Sequence, residues 1–365
     1  MPKGAFVSIM YILLRAYIGS KMDLSNLKKL CELGGIAGRE TAVRQEIARQ
    51  LRPLAQDLRT DALGNLLAYL PGSTSQKIIL CAHMDEVGLM IHYIAPGGFL
   101  YFVPVGGIDP RTLLAQRVTV HTAQGPLTGV IGTKPAHITQ PQERTQAVPL
   151  EELFIDVGLP AEAVAQRVAV GDFVTLQRPF ETFGDGRICS KALDDRVGCF
   201  CLLEALRRVR QPKVGVHIVF SAQEEVGLRG AGAAAFGLEA DVALAVDATG
   251  AADIPSCRPQ EYLTRLGGGV AVSALDAATI TPQWLLEELL ALCRTRQIRS
   301  QLRIAPRGGN DAGALHRSKA GLPACALSVP VRNIHSNVEV ADEQDIVATV
   351  DLLQAVLENG FQIKE

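Results

Sequence analysis

Several features that mark large classes of protein are missing from this chain. None of its eight cysteines forms a C-x-x-C pair: Cys31, Cys81, Cys189, Cys199, Cys201, Cys257, Cys293 and Cys325 are scattered, mostly within apolar runs. They read as reduced core residues of a cytoplasmic protein, not as a disulfide framework or a thiolate zinc site. An excess of charge is also missing, since 36 basic against 38 acidic side chains leave a formal charge of −2. That argues against nucleic acid as a partner. Long apolar runs are confined to residues 5–14, which follow Lys3 and are interrupted by Arg15. The run is too short to span a bilayer and no A-x-A cleavage site follows it, so no membrane association is expected. Residues 1–21 are read as an N-terminal extension, or as the product of a start codon assigned too early, with the working chain beginning at Met22. There is no internal repeat and no low-complexity linker. The turn Arg307-Gly-Gly-Asn-Asp-Ala-Gly313 lacks the Lys-Ser/Thr of a phosphate loop, and is read as shaping a substrate pocket.

What is present is a globular composition, 48% hydrophobic and 20% charged over 365 residues, long enough for two domains with one inserted in the other. Leu24, Leu27, Leu30 and then Val43, Ile47, Leu51 have helical spacing, broken by Gly34-Gly35 and Gly38. Residues 58–70 read as strand, turn and strand, and 77–82 as a buried strand. Between about Ile91 and Phe183 the pattern changes to short strand-like runs spaced by glycine and proline, which predicts a small β-rich domain. Strand and helix alternate again after Gly184-Asp-Gly186: helix from Asp195 to Val209, strands at 214–221 and 242–246, helix 282–296, strand 324–329 and helix 345–358. The outer part is therefore expected to be an α/β domain with a mainly parallel central sheet flanked by helices, carrying the β-rich segment as an insertion.

The chemistry-bearing residues collect at strand ends. The 77–82 strand delivers His83 and Asp85, strand 216–221 runs into Glu224-Glu225, strand 242–246 into Asp247, and strand 324–329 leads to His335. Asp194-Asp195 opens a helix nearby. In open α/β sheets the crevice beyond the carboxyl ends of the strands is where ligands bind, so these groups can converge there. His83, Asp194, Glu225, Asp247 and His335 form an imidazole and carboxylate set without thiolate, suited to Zn²⁺, Co²⁺ or Mn²⁺. Five ligands exceed the need of one catalytic zinc and suit two metals sharing a carboxylate. Glu224, beside a ligand, is placed to act as general base, and Asp85 to orient His83. Each residue has an ordinary structural reading when taken alone: a core histidine, a helix cap for Asp194-Asp195, an acidic first turn for Glu224-Glu225, a turn former for Asp247. Their joint occurrence at several strand ends is harder to explain by folding. His92, His121, His137, His217 and His316 lack a supporting motif and are taken as structural.

The chain resembles the co-catalytic metallopeptidases of family forty-two, which include tetrahedral aminopeptidases, glutamyl aminopeptidases and cellulase M or FrvX-like proteins. The resemblance runs from Met22 to the C-terminus. It rests on Ala82-His-Met-Asp-Glu-Val-Gly88, Pro104-Val-Gly-Gly-Ile-Asp-Pro-Arg111 with Gln116-Arg-Val118, Lys191-Ala-Leu-Asp-Asp-Arg196, Glu224-Glu-Val-Gly227, Val246-Asp247 and Ile334-His-Ser336. It implies a zinc-peptidase-like catalytic domain over 22–94 and 186–365, and an inserted dimerisation domain over 95–185. It further implies one metal on His83 and Asp247, a second on Glu225 and His335, Asp194 bridging them, Glu224 as base, and dimers assembling into a dodecamer that admits peptides. Asn310, Asn333 and Asn337 stand where the resemblance leads one to expect Thr, Tyr and Pro; they flank ligands and bear on the shape of the pocket. The expected activity is removal of N-terminal residues from peptides. An endoglucanase-type glycosidase, which would use two carboxylates and no metal, and a non-catalytic assembly module retaining the fold are the alternatives.

Overall fold

The computed structural model describes residues 22–140 and 146–363, so the expected extension over 1–21 lies outside the described residues. The chain is organised on strand β3 (Lys77–His83), of which every residue but the first is buried. Its side chains alternate between two cores: Ile78, Leu80 and Ala82 enter one, Ile79 and Cys81 the other. A strand covered on both faces has no solvent side to pattern, which is why it reads as a continuous apolar run.

Beside β3 lie β12 (Gly215–Ser221), β13 (Val242–Gly250) and, beyond β13, β16 (Ala324–Arg332), all parallel. The expectation of a mainly parallel sheet needs correction here. Outside this four-strand centre most pairings of the eleven-stranded sheet are antiparallel. One flank is the hairpin of β1 (Gln56–Thr60) and β2 (Leu66–Leu70), with β2 antiparallel to β12. On the other side β16 meets β17 (Glu339–Asp342), then β11 (Arg187–Ser190) and β10 (Glu181–Phe183), each antiparallel to its neighbour. β14 (Val270–Leu275) also pairs antiparallel with β16 and carries β15 (Ser300–Ile304). Short links such as the one between β10 and β11 are too short for the crossover that a parallel pair requires. β11, β14, β15 and β17 were not foreseen; β11 and β17 are only four residues long and mix polar with apolar side chains.

Helices cover both faces. Ser25–Glu32, Thr41–Leu51, Leu193–Arg208, Gln283–Thr295 and Glu343–Asn359 contribute to the larger core, and Arg229–Phe236 with Asp311–His316 to the smaller. Each Leu or Ile buried fully here contributes roughly 1.5–3 kcal/mol relative to exposure. Among the described residues no helix is long and apolar enough to cross a membrane.

The remaining strands, β4 (Gly88–Ile94), β5 (Leu100–Val105), β6 (Arg117–Thr122), β7 (Gly125–Gly132), β8 (Phe154–Asp156) and β9 (Phe173–Leu176), close into a barrel in the order β4-β5-β8-β7-β6-β9. The barrel has its own core, with Leu89, Leu100, Val118, Val120, Ile155 and Val174 buried within it. It spans Gly88 to Leu176, so β4 belongs to it, while β10 pairs in the large sheet.

The passage from sheet to barrel is a tight one. At Gly88 an added Cβ would lie 2.3 Å from Ile36 Cγ2 and 2.8 Å from the Val174 carbonyl oxygen. Overpacking of this kind costs about 1–3 kcal/mol. Gly88→Ala is therefore expected to lower the unfolding free energy from denaturant titration by that amount, and a loss under about 0.5 kcal/mol would mean that Ile36 gives way freely.

Candidate metal centre

The parallel register brings the site together. Ser221 stands opposite His83, so the chain leaving β12 toward Glu224 and Glu225 passes beside the end of β3. Asp247 lies within β13 rather than at its end, because that strand continues to Gly250. β16 runs on to Arg332 before the turn that presents His335, where His335 itself has φ of +61°. Asp194 and Asp195 open the helix Leu193–Arg208 with non-helical backbone, and the peptide bond between them is cis.

All five residues expected to bind metal meet in one place. Asp194 Oδ1 is 3.1 Å from His83 Nε2, and its Oδ2 is 3.3 Å from His335 Nε2. His83 Nε2 is also 3.6 Å from Asp247 Oδ1 and 3.9 Å from Glu224 Oε2, and His335 Nε2 is 3.4 Å from Glu225 Oε2. Among the described residues, His83, Asp194 and Glu225 form one group compact enough for a cation, and His83, Asp195 and Asp247 another.

Both imidazoles are oriented alike. His83 Nδ1 lies 3.1 Å from the Asp85 carbonyl oxygen and His335 Nδ1 lies 2.8 Å from the Gly107 carbonyl oxygen. A carbonyl only accepts, so each Nδ1 carries a proton, and each Nε2 faces the carboxylates, where it is placed to exchange its own proton for a cation. Gly107 follows β5, so the barrel side of the molecule fixes one histidine. Asp85 does less for His83 than its sequence position implied. Its Oδ1 is 3.5 Å from Nδ1, whereas its two oxygens accept the Glu224 and Glu225 backbone N–H groups at 3.0 and 3.1 Å. Asp195 serves as a cap, accepting the Gly198 N–H at 2.9 Å, and also accepts the His83 N–H at 3.2 Å.

Other functional neighbours were not singled out in the sequence. Arg196, fully buried, donates to the carbonyls of Met84, Leu30, Leu33 and Gly35, filling acceptors that the end of helix Ser25–Glu32 leaves open and tying that turn to the end of β3. Glu86 accepts from it directly at 3.3 Å and also pairs with Lys191, with Nζ–Oε2 2.7 Å. Asp311 is buried against Ser221, and its carboxyl is pushed up to about 6 by burial. Only Asp311's place in the glycine turn hinted at it. Of the three departures from the expected pattern, Asn310 caps the helix Asp311–His316 through Ala312 N–H, Asn337 donates to Gln116 Oε1 at 2.7 Å, and Asn333 takes a left-handed turn position.

The donor set fits divalent cations. Burial alone pushes the Glu225 carboxyl up, and with the Asp194 charge beside it the value reaches about 8. Glu225 Oε1 is buried without any hydrogen-bond partner. Burial, followed by neighbouring carboxylates, likewise raises Glu224 well above the usual range. Burial opposes charge on His335, yet Asp194 and Glu225 carry its value up to about 10. His83 is raised well above its ordinary value by Glu224, Asp194, Asp247 and Asp85 against the same opposition. Carboxylates this crowded, with one oxygen lacking any hydrogen-bond partner, fit the binding of divalent cations.

The group opens into a cleft of about 540 Å³, also lined by Leu228, Leu263 and Ile334 and by Arg303 and Arg307.

Comparison with known proteins defines the class first: this is a peptide hydrolase of metallopeptidase type. The chain belongs to the M42 glutamyl aminopeptidase family, whose model matches residues 64–352. It is 31% identical over 342 residues to the lysyl aminopeptidase of Pyrococcus furiosus, covering 92% of this chain and 97% of that protein. Its structure is similar to that of an aminopeptidase from Desulfurococcus kamchatkensis, with a TM-score of 0.88, 40% identity, and 92% and 94% of the two chains covered. It is also similar to the TET1 peptidase of Pyrococcus horikoshii, which can assemble into a tetrahedron or a large octahedral shell, with a TM-score of 0.83, 34% identity, and 92% and 99% coverage. Family membership implies divalent metals.

A consequence for cation uptake follows from Glu225. With a folded value near 8 against an ordinary 4.5, it holds a proton at pH 7 in the metal-free protein. Binding must displace that proton, so affinity should rise as pH increases toward 8. Calorimetric titration of Zn²⁺ at pH 7 in two buffers of different ionisation enthalpy should reveal net proton release; none would contradict the assignment.

Proposed function

We propose that the protein is a two-metal aminopeptidase, with His83 and Asp247 holding one divalent cation, Glu225 and His335 the other, and Asp194 bridging them. The observation that carries this reading is the Asp194 carboxylate, which turns one oxygen toward each histidine at 3.1 and 3.3 Å. Zn²⁺ or Co²⁺, with Mn²⁺ as a further choice, suits the donors. Such ions polarise a scissile carbonyl and acidify water.

The chain's own residues do the rest. Asp85 grips the backbone of Glu224 and Glu225, so that one carboxylate is held for the metal while its neighbour is held for the proton. Glu224 removes the proton from the attacking water and delivers it to the leaving amine, and its burial favours holding that proton between the two steps. The apolar wall of Leu228, Leu263 and Ile334 accommodates the stem of the N-terminal side chain.

The cleft favours an acidic side chain. Arg303 is buried, held by Thr249 Oγ1 at 2.8 Å and Ser273 Oγ at 3.0 Å and paired with the buried Asp276 carboxylate at 3.5 Å, and the exposed Arg307 lines the same cleft. The exposed Arg307 guanidinium, with a second one shared with Asp276, gives the cleft a basic lining that matches a glutamyl or aspartyl residue and opposes a lysyl one.

The barrel is the inserted domain of this reading, and it exposes Tyr93, Phe99, Val103 and Val130. These apolar side chains support a homo-oligomer in which barrels pair into dimers and dimers into a dodecamer, enclosing the site so that peptides enter and folded proteins do not.

Two experiments test the assignment. Glu224→Gln should keep its bound metal and lose about 100- to 10,000-fold in turnover of aminoacyl-p-nitroanilides; near-normal turnover would remove Glu224 as the base. On the same panel glutamyl substrate should be preferred over lysyl, and Arg303→Met should lower kcat/KM for glutamyl by about tenfold or more, the worth of one charged hydrogen bond. A lysyl preference in the wild type would overturn the acidic pocket.

A further inference from the structure

Glu339, the first residue of β17, is 1% exposed and does not contact the cleft. Its Oε2 accepts the Asp194 N–H at 3.1 Å, and its Oε1 accepts the His335 N–H at 2.8 Å. Among the described residues no basic side chain pairs with it; the carboxylate is spent on two backbone amides, and both belong to residues that face the centre of the site.

The sheet explains how one side chain reaches both. β17 lies between β11 and β16, with Ser190 opposite Glu339 on one side and Arg332 opposite Val340 on the other. β11 leads into Asp194 and β16 leads into His335. The strand ladder therefore seats Glu339 between the two chains just before each presents its ligand. His335 sits at a positive φ of +61°, a conformation that a non-glycine residue holds only when its surroundings impose it. The N–H bond to Glu339 and the Nδ1 bond to Gly107 are those surroundings. The remaining segments are tied separately: Asp195 holds the His83 backbone, and Asp85 holds that of Glu224 and Glu225.

We infer that Glu339 is a positioning residue that locks Asp194 and His335 into one unit, and so sets the affinity of the cation shared by Glu225 and His335, for which it holds both Asp194 and His335, far more than that of the cation on His83 and Asp247, which shares only Asp194. The inference rests on the two-cation reading proposed above.

The test is a titration of the cation-free full-length protein with Co²⁺, followed by calorimetry and by visible absorbance, for wild type, Glu339→Gln and Glu339→Asp. Gln keeps the volume but presents an N–H₂ group to one of the two amides; Asp is one methylene short and can hold only one of them. The expected result is two equivalents in all three proteins, with the first within about threefold of wild type. The second should weaken at least tenfold in Glu339→Gln and by less in Glu339→Asp, with thermal midpoints of the cation-free variants close to wild type. Unchanged binding of both equivalents would overturn the inference. So would parallel weakening of both together with a collapsed thermal midpoint, which marks a general structural role. If Glu339→Gln does not fold, Glu339→Asp alone decides by the same two comparisons. A wild-type protein that takes up one equivalent or none fails the two-cation reading itself, and is distinguished by needing no variant to see it.

Discussion

The structure depends on concentrated negative charge that is kept out of water. Asp85, Asp194, Asp195, Glu224, Asp247, Asp311 and Glu339 are all buried around His83, and the Glu225 side chain is nearly so. Two imidazoles cannot balance eight carboxyl groups. Desolvated like charges either take up protons or require cations, and removing one partner from such a set leaves a penalty of several kcal/mol. The raised values of Glu224, Glu225, Asp247 and Asp311 are the first response, and cation binding is the second.

Holding such a group together without metal falls to the backbone. Asp85, Asp195 and Glu339 do not point their oxygens at one another. Each accepts N–H groups from segments that carry a ligand, so the repulsive side chains double as cross-links. Besides the two imidazoles, backbone amide dipoles supply the positive ends here, since Lys191 is engaged with Glu86 and Arg196 with a ring of carbonyls. The result is a cluster of imidazoles and carboxylates placed by the sheet and held by hydrogen bonds, which limits the reorganisation that cation binding would require.

The barrel takes part in this arrangement and is not a detached appendage. It leaves the sheet at Gly88, where Ile36 closes against the backbone, and it returns the Gly107 carbonyl to His335. A stretch that departs from one strand end thus orients a ligand at the end of another. β15 brings Arg303 into the cleft, where Thr249, Ser273 and the Asp276 carboxylate hold it.

The sequence by itself determined the strand that ends in His83, the alternation of strand and helix, the change of style near Ile91, and the residues that meet at the centre. These are legible because burial on both faces writes itself as an uninterrupted apolar run, and because acids and histidines at strand ends have few folding reasons to be there. Only the tertiary structure decided that the flanks of the sheet are antiparallel, since β11 and β17 are too short to show a period. Only it showed that Asp85 serves Glu224 and Glu225 more than His83, and that Glu339 links Asp194 to His335. Those contacts join residues far apart in the chain through backbone N–H groups, which every residue carries, so no pattern of side chains could have announced them.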